Sequence, residues 1–496
     1  MATLNSTILA ASLSAAALLD PTTPAAFTAG KPQTWALVLA GFIGVCVIAR
    51  RRAAALAHRS LQVAPLVSRG SASRAAPWQR ATTAARTRAM PDRRIGQRHR
   101  GLLLTCVALL MAMPARAAEQ STVSPFLEEK LTTDDNVFRL ARDVNAQQMI
   151  GTASLADTYR TTSAGLTVDA ALRLQHLVAS LAFNQTRYSR FSALDFNGRD
   201  LRASWLWQAG KEQHGELGVS DVYALVPFGQ VLGTTPDRLE VRQAFANGNF
   251  MLTPRWRLRG AVDRLEQYNS DPAQLVNDVS IDGAEAALAL VSGAGNTFGP
   301  LVRIERGWFP HPEPLGATLV DNGYRQYNAG LALDWTISPA SHLLARAAQM
   351  SRHYQQLPQR DFAGQIGRIE FTWSPPGRLS LTALAQRDMS PYELIHSSLV
   401  LVRGIGLRPT LQITTTLNLT ADLEAATRRY LADPAQLLGL TSMRVDRVRS
   451  AGLQLSYHPH ARITVEASLS HEDRSSSIAF GDYAAHVAWL SARLTL

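Results

Sequence analysis

The sequence predicts an all-β fold: a closed antiparallel transmembrane barrel of about 18 strands, with about 16 as the nearest alternative, preceded by a leader that is disordered or helical. Three observations carry that prediction. Apolar and polar side chains alternate with a period of two along most of the chain. The connections between alternating segments are short and long by turns. Beyond residue 117 no uninterrupted apolar run reaches the length of about 18 residues that a membrane helix needs.

The leader differs in charge from the rest. Of the 50 Lys and Arg in 496 residues, 15 lie before residue 118 with only Asp20 and Asp92 against them, a net +13. The remaining chain holds 35 basic and 37 acidic side chains, so the overall +11 does not point to a nucleic-acid partner. Cys46 and Cys106 also lie in the leader, which excludes disulfides, thiolate metal sites and cysteine nucleophiles from the body. Arg93, Arg94, Arg98 and Arg100, the apolar stretch Leu102 to Met113 and the small-x-small Ala115-Arg116-Ala117 follow the order of a secretory signal peptide over 90–117. Cleavage is expected before Ala118. Residues 1–89 read as an extension, with translation expected from Met90. Within it, 53–89 form an Arg/Ala/Ser-rich linker, and 31–52 carry Lys31-Pro32-Gln33-Thr34-Trp35-Ala36, an apolar run and Arg50-Arg51-Arg52. That segment resembles the PEP-CTERM sorting tail that exosortases cut.

Residues 118–132 read as a periplasmic N-terminal segment and 133–496 as the barrel, with Thr133 to Leu140 as its first strand. From Ala164 the even positions run Ala164, Leu166, Val168, Ala170, Leu172, Leu174, and the odd positions run Gly165, Thr167, Asp169, Ala171, Arg173, Gln175. The same pattern recurs in Leu201 to Trp207, Ile369 to Trp373 and Ile463 to Leu469. Short connections fall near 175–177, 210–214, 247–254, 293–297, 338–341, 374–378, 413–417 and 458–461, several with Pro. Longer ones fall near 190–199, 226–237, 266–281, 309–324, 354–364, 387–394, 430–442 and 470–482. Strict alternation of tight turns and larger loops is what a membrane barrel predicts and a sandwich does not. A bilayer has no partner for exposed backbone N–H and C=O groups, so spanning strands must close on themselves.

A barrel this wide encloses an aqueous lumen unless loops plug it. The polar face is then inside. The apolar face, with Trp205, Trp207, Trp373, Tyr457 and Trp489 as candidates, meets lipid or its interfaces. The last segment alternates Leu490, Ala492, Leu494 and Leu496 with Ser491, Arg493 and Thr495, as a terminal barrel strand does, although it ends in Leu rather than an aromatic residue.

Four stretches carry a family resemblance: Asp134-Asp135-Asn136-Val137-Phe138-Arg139-Leu140, then Tyr188 to Gly198, then Leu201-Arg202-Ala203-Ser204-Trp205-Leu206-Trp207, then Gly215-Glu216-Leu217-Gly218. They resemble the exopolysaccharide-biosynthesis outer-membrane protein family, EpsL-type porin-like barrels. The resemblance implies a place in the outer membrane of a Gram-negative bacterium and a part in exopolysaccharide biosynthesis or export as channel or scaffold. Outer-membrane lipid, exopolysaccharide and other export components are its implied partners, without cofactor or catalytic set. A general diffusion porin or uptake channel for small solutes, anions included, is the alternative, and a barrel hydrolase is the second.

Three stretches place Arg on the polar face, as pore-lining candidates: Arg238, Glu240 and Arg242; Arg255, Arg257 and Arg259; and Arg303 with Glu305. Cationic side chains inside a pore favour anions. The competing reading is that they pair with wall carboxylates such as Glu240 and Glu305 and only satisfy a polar lumen. His396-Ser397-Ser398 is weak support for a hydrolase, since a nucleophile needs a base in reach and an orienting partner. No zinc-type His spacing and no phosphate-cradling loop occur.

Overall fold

The computed structural model describes residues 120–230, 233–390, 399–431 and 442–496. The extension 1–89, the segment 31–52, the signal peptide with Ala115, Ala117 and Ala118, and His396-Ser397-Ser398 lie outside the described residues.

In chain order the strands are β1 (Gln120–Asp134), β2 (Asp157–Leu172), β3 (Gln175–Tyr188), β4 (Phe196–Ala209), β5 (Gln213–Leu225), β6 (Arg238–Thr253), β7 (Trp256–Asn269), β8 (Val279–Val291) and β9 (Thr297–Trp308). After a small hairpin, β10 (Glu313–Leu315) with β11 (Thr318–Val320), come β12 (Tyr324–Ser338), β13 (Ser341–Tyr354), β14 (Phe362–Trp373), β15 (Leu379–Ser390) and β16 (Leu399–Gln412). The series ends with β17 (Leu417–Leu431), β18 (Val445–His460), β19 (Ile463–Ser476) and β20 (Tyr483–Thr495). Among the described residues, 18 of these form one sheet in which each strand pairs antiparallel with its neighbours in sequence. The sheet closes because β1 pairs with both β2 and β20, from Phe126 opposite Thr495 to Asp134 opposite Val487. Closure leaves the 18-stranded sheet without an edge, so each of its strands has two partners.

The turns at one end are tight, as at Pro339-Ala340 and Ala461-Arg462, and the loops at the other end are long. Strand number and turn positions therefore agree with the sequence pattern. The first strand does not. It covers 120–134, where the pattern places a periplasmic segment, and residues 135–141 are loop. The outward series of β1 reads Val123, Pro125, Leu127, Glu129, Leu131, Thr133, and its polar members hide the alternation. The stretch after it is bent by Asn136, whose side chain accepts from the Leu140 amide at 3.0 Å and donates to the Leu140 carbonyl at 2.8 Å, and by Arg139 at φ 55°.

Register fixes which side chains share a face. Exposed Val123, Leu127, Leu131, Trp205, Val262, Val302, Ile304, Leu331, Ile369, Ile405, Leu453, Leu469 and Leu490 lie on the outer face, forming an apolar band. Trp205, Trp207, Trp373 and Tyr457 belong to that face. Trp489 does not: it is 7% exposed, faces inward opposite Thr132, and carries the Lys130 ammonium 3.8 Å above its ring.

At the long-loop end the polarity of the wall inverts. A five-residue helix, α1 (Ala146–Ile150), capped by the Asn145 side chain, belongs to the first loop, which folds into the mouth. Its Val137, Phe138 and Leu140 join Leu194, Val226 and Phe228 from two other loops and the inward wall residues Tyr159, Tyr188 and Leu239 in one apolar cluster. The Phe138 ring lies 4.9 Å from Phe191 and 4.8 Å from Phe228. The β10–β11 hairpin fills a second part of the mouth, where Arg360, 1% exposed, donates to Glu313 at 2.6 Å and to Asn322 at 2.5 Å.

Candidate functional site

The lumen wall is built from inward positions of the strands, and its charges fall in registered rows. Arg257 and Arg259 on β7 face inward opposite Ala289 and Ala287 of β8. Neither forms an ion pair with a described carboxylate, and the buried Nε of each has no hydrogen-bond partner. Two strands away the pattern is different. Arg303 on β9 donates from Nη1 to Asp263 at 2.7 Å and from Nε to Glu305 at 2.6 Å. Glu305 also accepts from Gln326 at 2.6 Å, and Gln326 accepts from Arg352 at 2.8 Å. Arg346 pairs with Glu285, and Arg368 with Glu370 at 2.9 Å. Paired charges in an enclosed wall satisfy one another, whereas an unpaired cation leaves a field for a mobile anion.

The sequence-predicted residues therefore separate into three groups. Arg257, Arg259, Arg303 and Glu305 line the lumen. Arg255 sits in the β6–β7 turn at the tight-turn end, exposed, and is not part of the wall. Arg238, Glu240 and Arg242 are outside the barrel, which corrects their reading as pore-lining residues: register aligns Glu240 with Tyr223 and Tyr268, and Arg242 with Asp221 and Glu266, on the face of Trp205 and Val262. Arg199 donates from Nε to Asp221 at 3.0 Å and also pairs with Glu240, while Arg242 donates to Glu240 at 3.0 Å. This part of β6 lies beyond the apolar band, where the inside of the wall meets the loop core and the outside meets a polar medium. Leu239 is consequently inside, against the loop cluster.

Sequence reasoning missed Lys130 and Arg352 as wall cations. Each stacks on an aromatic ring of the adjacent strand, Lys130 on Trp489 at 3.8 Å and Arg352 on Tyr324 at 3.9 Å, a cross-strand contact that alternation within one strand does not announce. Among the described residues no cluster of three or more His, Asp or Glu could hold a metal ion. On the outer face, Ser351 Oγ lies 2.8 Å from His353 Nε2, and His353 Nδ1 lies 2.9 Å from Asp361. This chain of bonds is open to the surroundings, with the His353 side chain 60% exposed, and Asp361 also accepts the Tyr354 amide at 2.8 Å as part of the turn. An exposed relay lacks the water-excluding, pre-organised pocket that nucleophilic catalysis needs.

Comparison with known proteins adds the following. No curated protein matches the chain in sequence. Among solved structures, Pseudomonas aeruginosa OccK2 (OpdF) is 12% identical, covering 77% of this chain and 99% of its own, with a TM-score of 0.43. Pseudomonas aeruginosa OccK9 (OpdG) is 13% identical over 77% and 100%, with a TM-score of 0.42, and OpdQ of the same organism is 12% identical over 77% and 100%, with a TM-score of 0.43. Residues 325–496, from the start of β12 to the end of the chain, match the family model described as "Putative beta-barrel porin 2". Strand closure and a polar bore make this chain a closed antiparallel β-barrel, and its C-terminal part is similar to that porin family.

Proposed function

We propose that the chain is an outer-membrane diffusion channel that admits small solutes and prefers anions. The observation that carries this reading is the pair Arg257 and Arg259, inward on one strand and without a described carboxylate partner, in a wall where Arg303, Arg346 and Arg368 are each paired with a carboxylate. Tight turns at one end and long loops at the other support a periplasmic and an external side respectively. The apolar band supports lipid as the surrounding medium. The β-barrel porin match over 325–496 supports conduction.

A role in exopolysaccharide biosynthesis or export has a narrower basis, the sequence resemblance in four stretches before residue 220. The first two stretches contribute to the loop core at the mouth, and the last two lie in β4 and β5.

The test is reversal potential in a planar bilayer across a KCl gradient. The expected sign is that of chloride preference. Cation preference, or a folded protein with no conductance, rejects the reading. Loss of anion uptake with unchanged exopolysaccharide in a deletion strain separates the channel from the export role.

A further inference from the structure

The outer surface just beyond the apolar band is electrostatically divided. From β1 to β8 carboxylates accompany its arginines: Glu129 with Arg160 at 2.7 Å, Arg199 and Arg242 with Asp221 and Glu240, and Arg264 with Glu266 at 2.8 Å and Asp282 at 3.1 Å. From β9 to β18 the outward positions of the described residues include no Asp or Glu. They do include Arg387, Arg403, Arg429, Arg447 and Arg449.

Register brings these five together. One row of cross-strand partners runs Leu331, Ala347, Gly367, Arg387, Arg403, Thr427, Arg447 through β12 to β18. Neighbouring strands are about 4.8 Å apart, so Arg387 and Arg403 are side by side and Arg447 is two strands farther on. Arg429 lies one pleat toward the loops and Arg449 one pleat toward the band, where Asp473 of β19 is its cross-strand neighbour. None of the five forms an ion pair with a described carboxylate. The next row toward the tight turns reads Leu333, Ala345, Ile369, Ala385, Ile405, Ala425, Arg449. Its small residues, with Ala347 and Gly367 above, leave an exterior groove of about 840 Å³ bounded by Leu331, Ile369 and Ile405 and topped by the arginines.

We propose that this groove and its arginines bind a phosphorylated lipid of the outer leaflet, the headgroup phosphate on Arg387, Arg403 and Arg447 and an acyl chain along the small-residue groove. Unpaired guanidinium groups beside hydrocarbon are costly, and phosphate oxygens accept their forked donors in charge-assisted bonds. The proposal rests on the membrane orientation given under the proposed function.

Native mass spectrometry of the detergent-folded chain tests it, with bisphosphorylated lipid A, its dephosphorylated counterpart and inorganic phosphate as probes. The bisphosphorylated lipid is expected to stay bound, and the dephosphorylated one to be retained at least tenfold less. Combined Arg387→Gln, Arg403→Gln and Arg447→Gln should lower retention by a similar factor, while Arg160→Gln in the paired region should leave it unchanged. Equal retention of both lipids, full retention by the triple variant, or displacement by inorganic phosphate at lipid concentration would overturn the proposal, the last by showing a site for free anions. If the triple variant lacks the heat-shifted gel mobility of a folded barrel, single Arg403→Gln and Arg447→Gln take its place, each expected to cut retention severalfold. Reversal potential on the same preparations keeps the two readings apart: lipid retention does not depend on anion preference, and loss of either leaves the other measurable.

Discussion

Arg474 on β19 donates from Nη1 to the backbone carbonyl of Gly229, 245 positions earlier in the chain, at 2.9 Å, and from Nε to the Gly481 carbonyl at 2.8 Å. Gly229 lies in the loop between β5 and β6, so this one side chain ties a loop rooted on one part of the wall to another part several strands away. The approach is close: a Cβ at Gly229 would come within 2.7 Å of the Tyr483 hydroxyl, so a larger residue there would have to push that ring aside.

Replacing Arg474 by Ala should release that loop. Hydrogen bonds from a charged donor contribute about 1.5–3 kcal/mol each to such a contact. The expected outcome is larger and noisier single-channel conductance with normal heat-shifted gel mobility; unchanged conductance would mean that the tie does not limit the bore.

Selectivity should reside in β7. Arg257→Gln with Arg259→Gln keeps a polar, hydrogen-bonding side chain at each position but removes both unpaired charges. Reversal potential in a KCl gradient is expected to move toward zero, with conductance nearly unchanged. Arg238→Gln and Arg242→Gln, on the outer surface, should leave it where it is.

The mouth core gives a third expectation. Phe138→Ala removes a ring packed between Phe191 and Phe228, at a cost of about 3–5 kcal/mol for a buried aromatic. The loss should be local, read as faster proteolysis within 135–156 while the strands stay protected.

Arg360→Ala should loosen the other part of the mouth. It leaves Glu313 as a buried carboxylate stripped of its cation, a change that costs about 3–5 kcal/mol. Proteolysis within 309–323 measures the effect, and conversion of Glu313 to Gln in the same chain should restore part of the protection.

Ser351→Ala tests the exposed relay on β13. Ester hydrolysis by the purified chain and by the variant should be equally at background. A signal lost on substitution would show that the relay is catalytic.

Much of this architecture could be read in advance because the bilayer imposes it. Alternation such as Ala164 to Leu174 and turns such as Ser338-Pro339 fix strand number and direction, and neither depends on distant contacts. The wall beyond the band was not readable in the same way. Leu239 and Arg242 alternate as faithfully as any lipid-spanning pair, yet the sides are exchanged, because what lies on each side there is loop core and a polar medium. Local patterning reports two faces without saying which is inside. The candidate site divides along the same line: Arg257, Arg259, Arg303 and Glu305 lie level with the band on the inner face, and Glu240 and Arg242 lie above it on the outer face. Only the pairing of Arg303 with Asp263, 40 positions away, shows which lumen cations are spent and which remain available.

Joining β1 to β20 has a consequence for biogenesis. Phe126 meets Thr495 only after nearly the whole chain has been made, so among the described residues the seam is the most non-local strand pairing and its formation bears the largest loop entropy. A chain truncated before Tyr483 would present two raw strand margins, on β1 and β19, and would be expected to clump with its own kind instead of inserting.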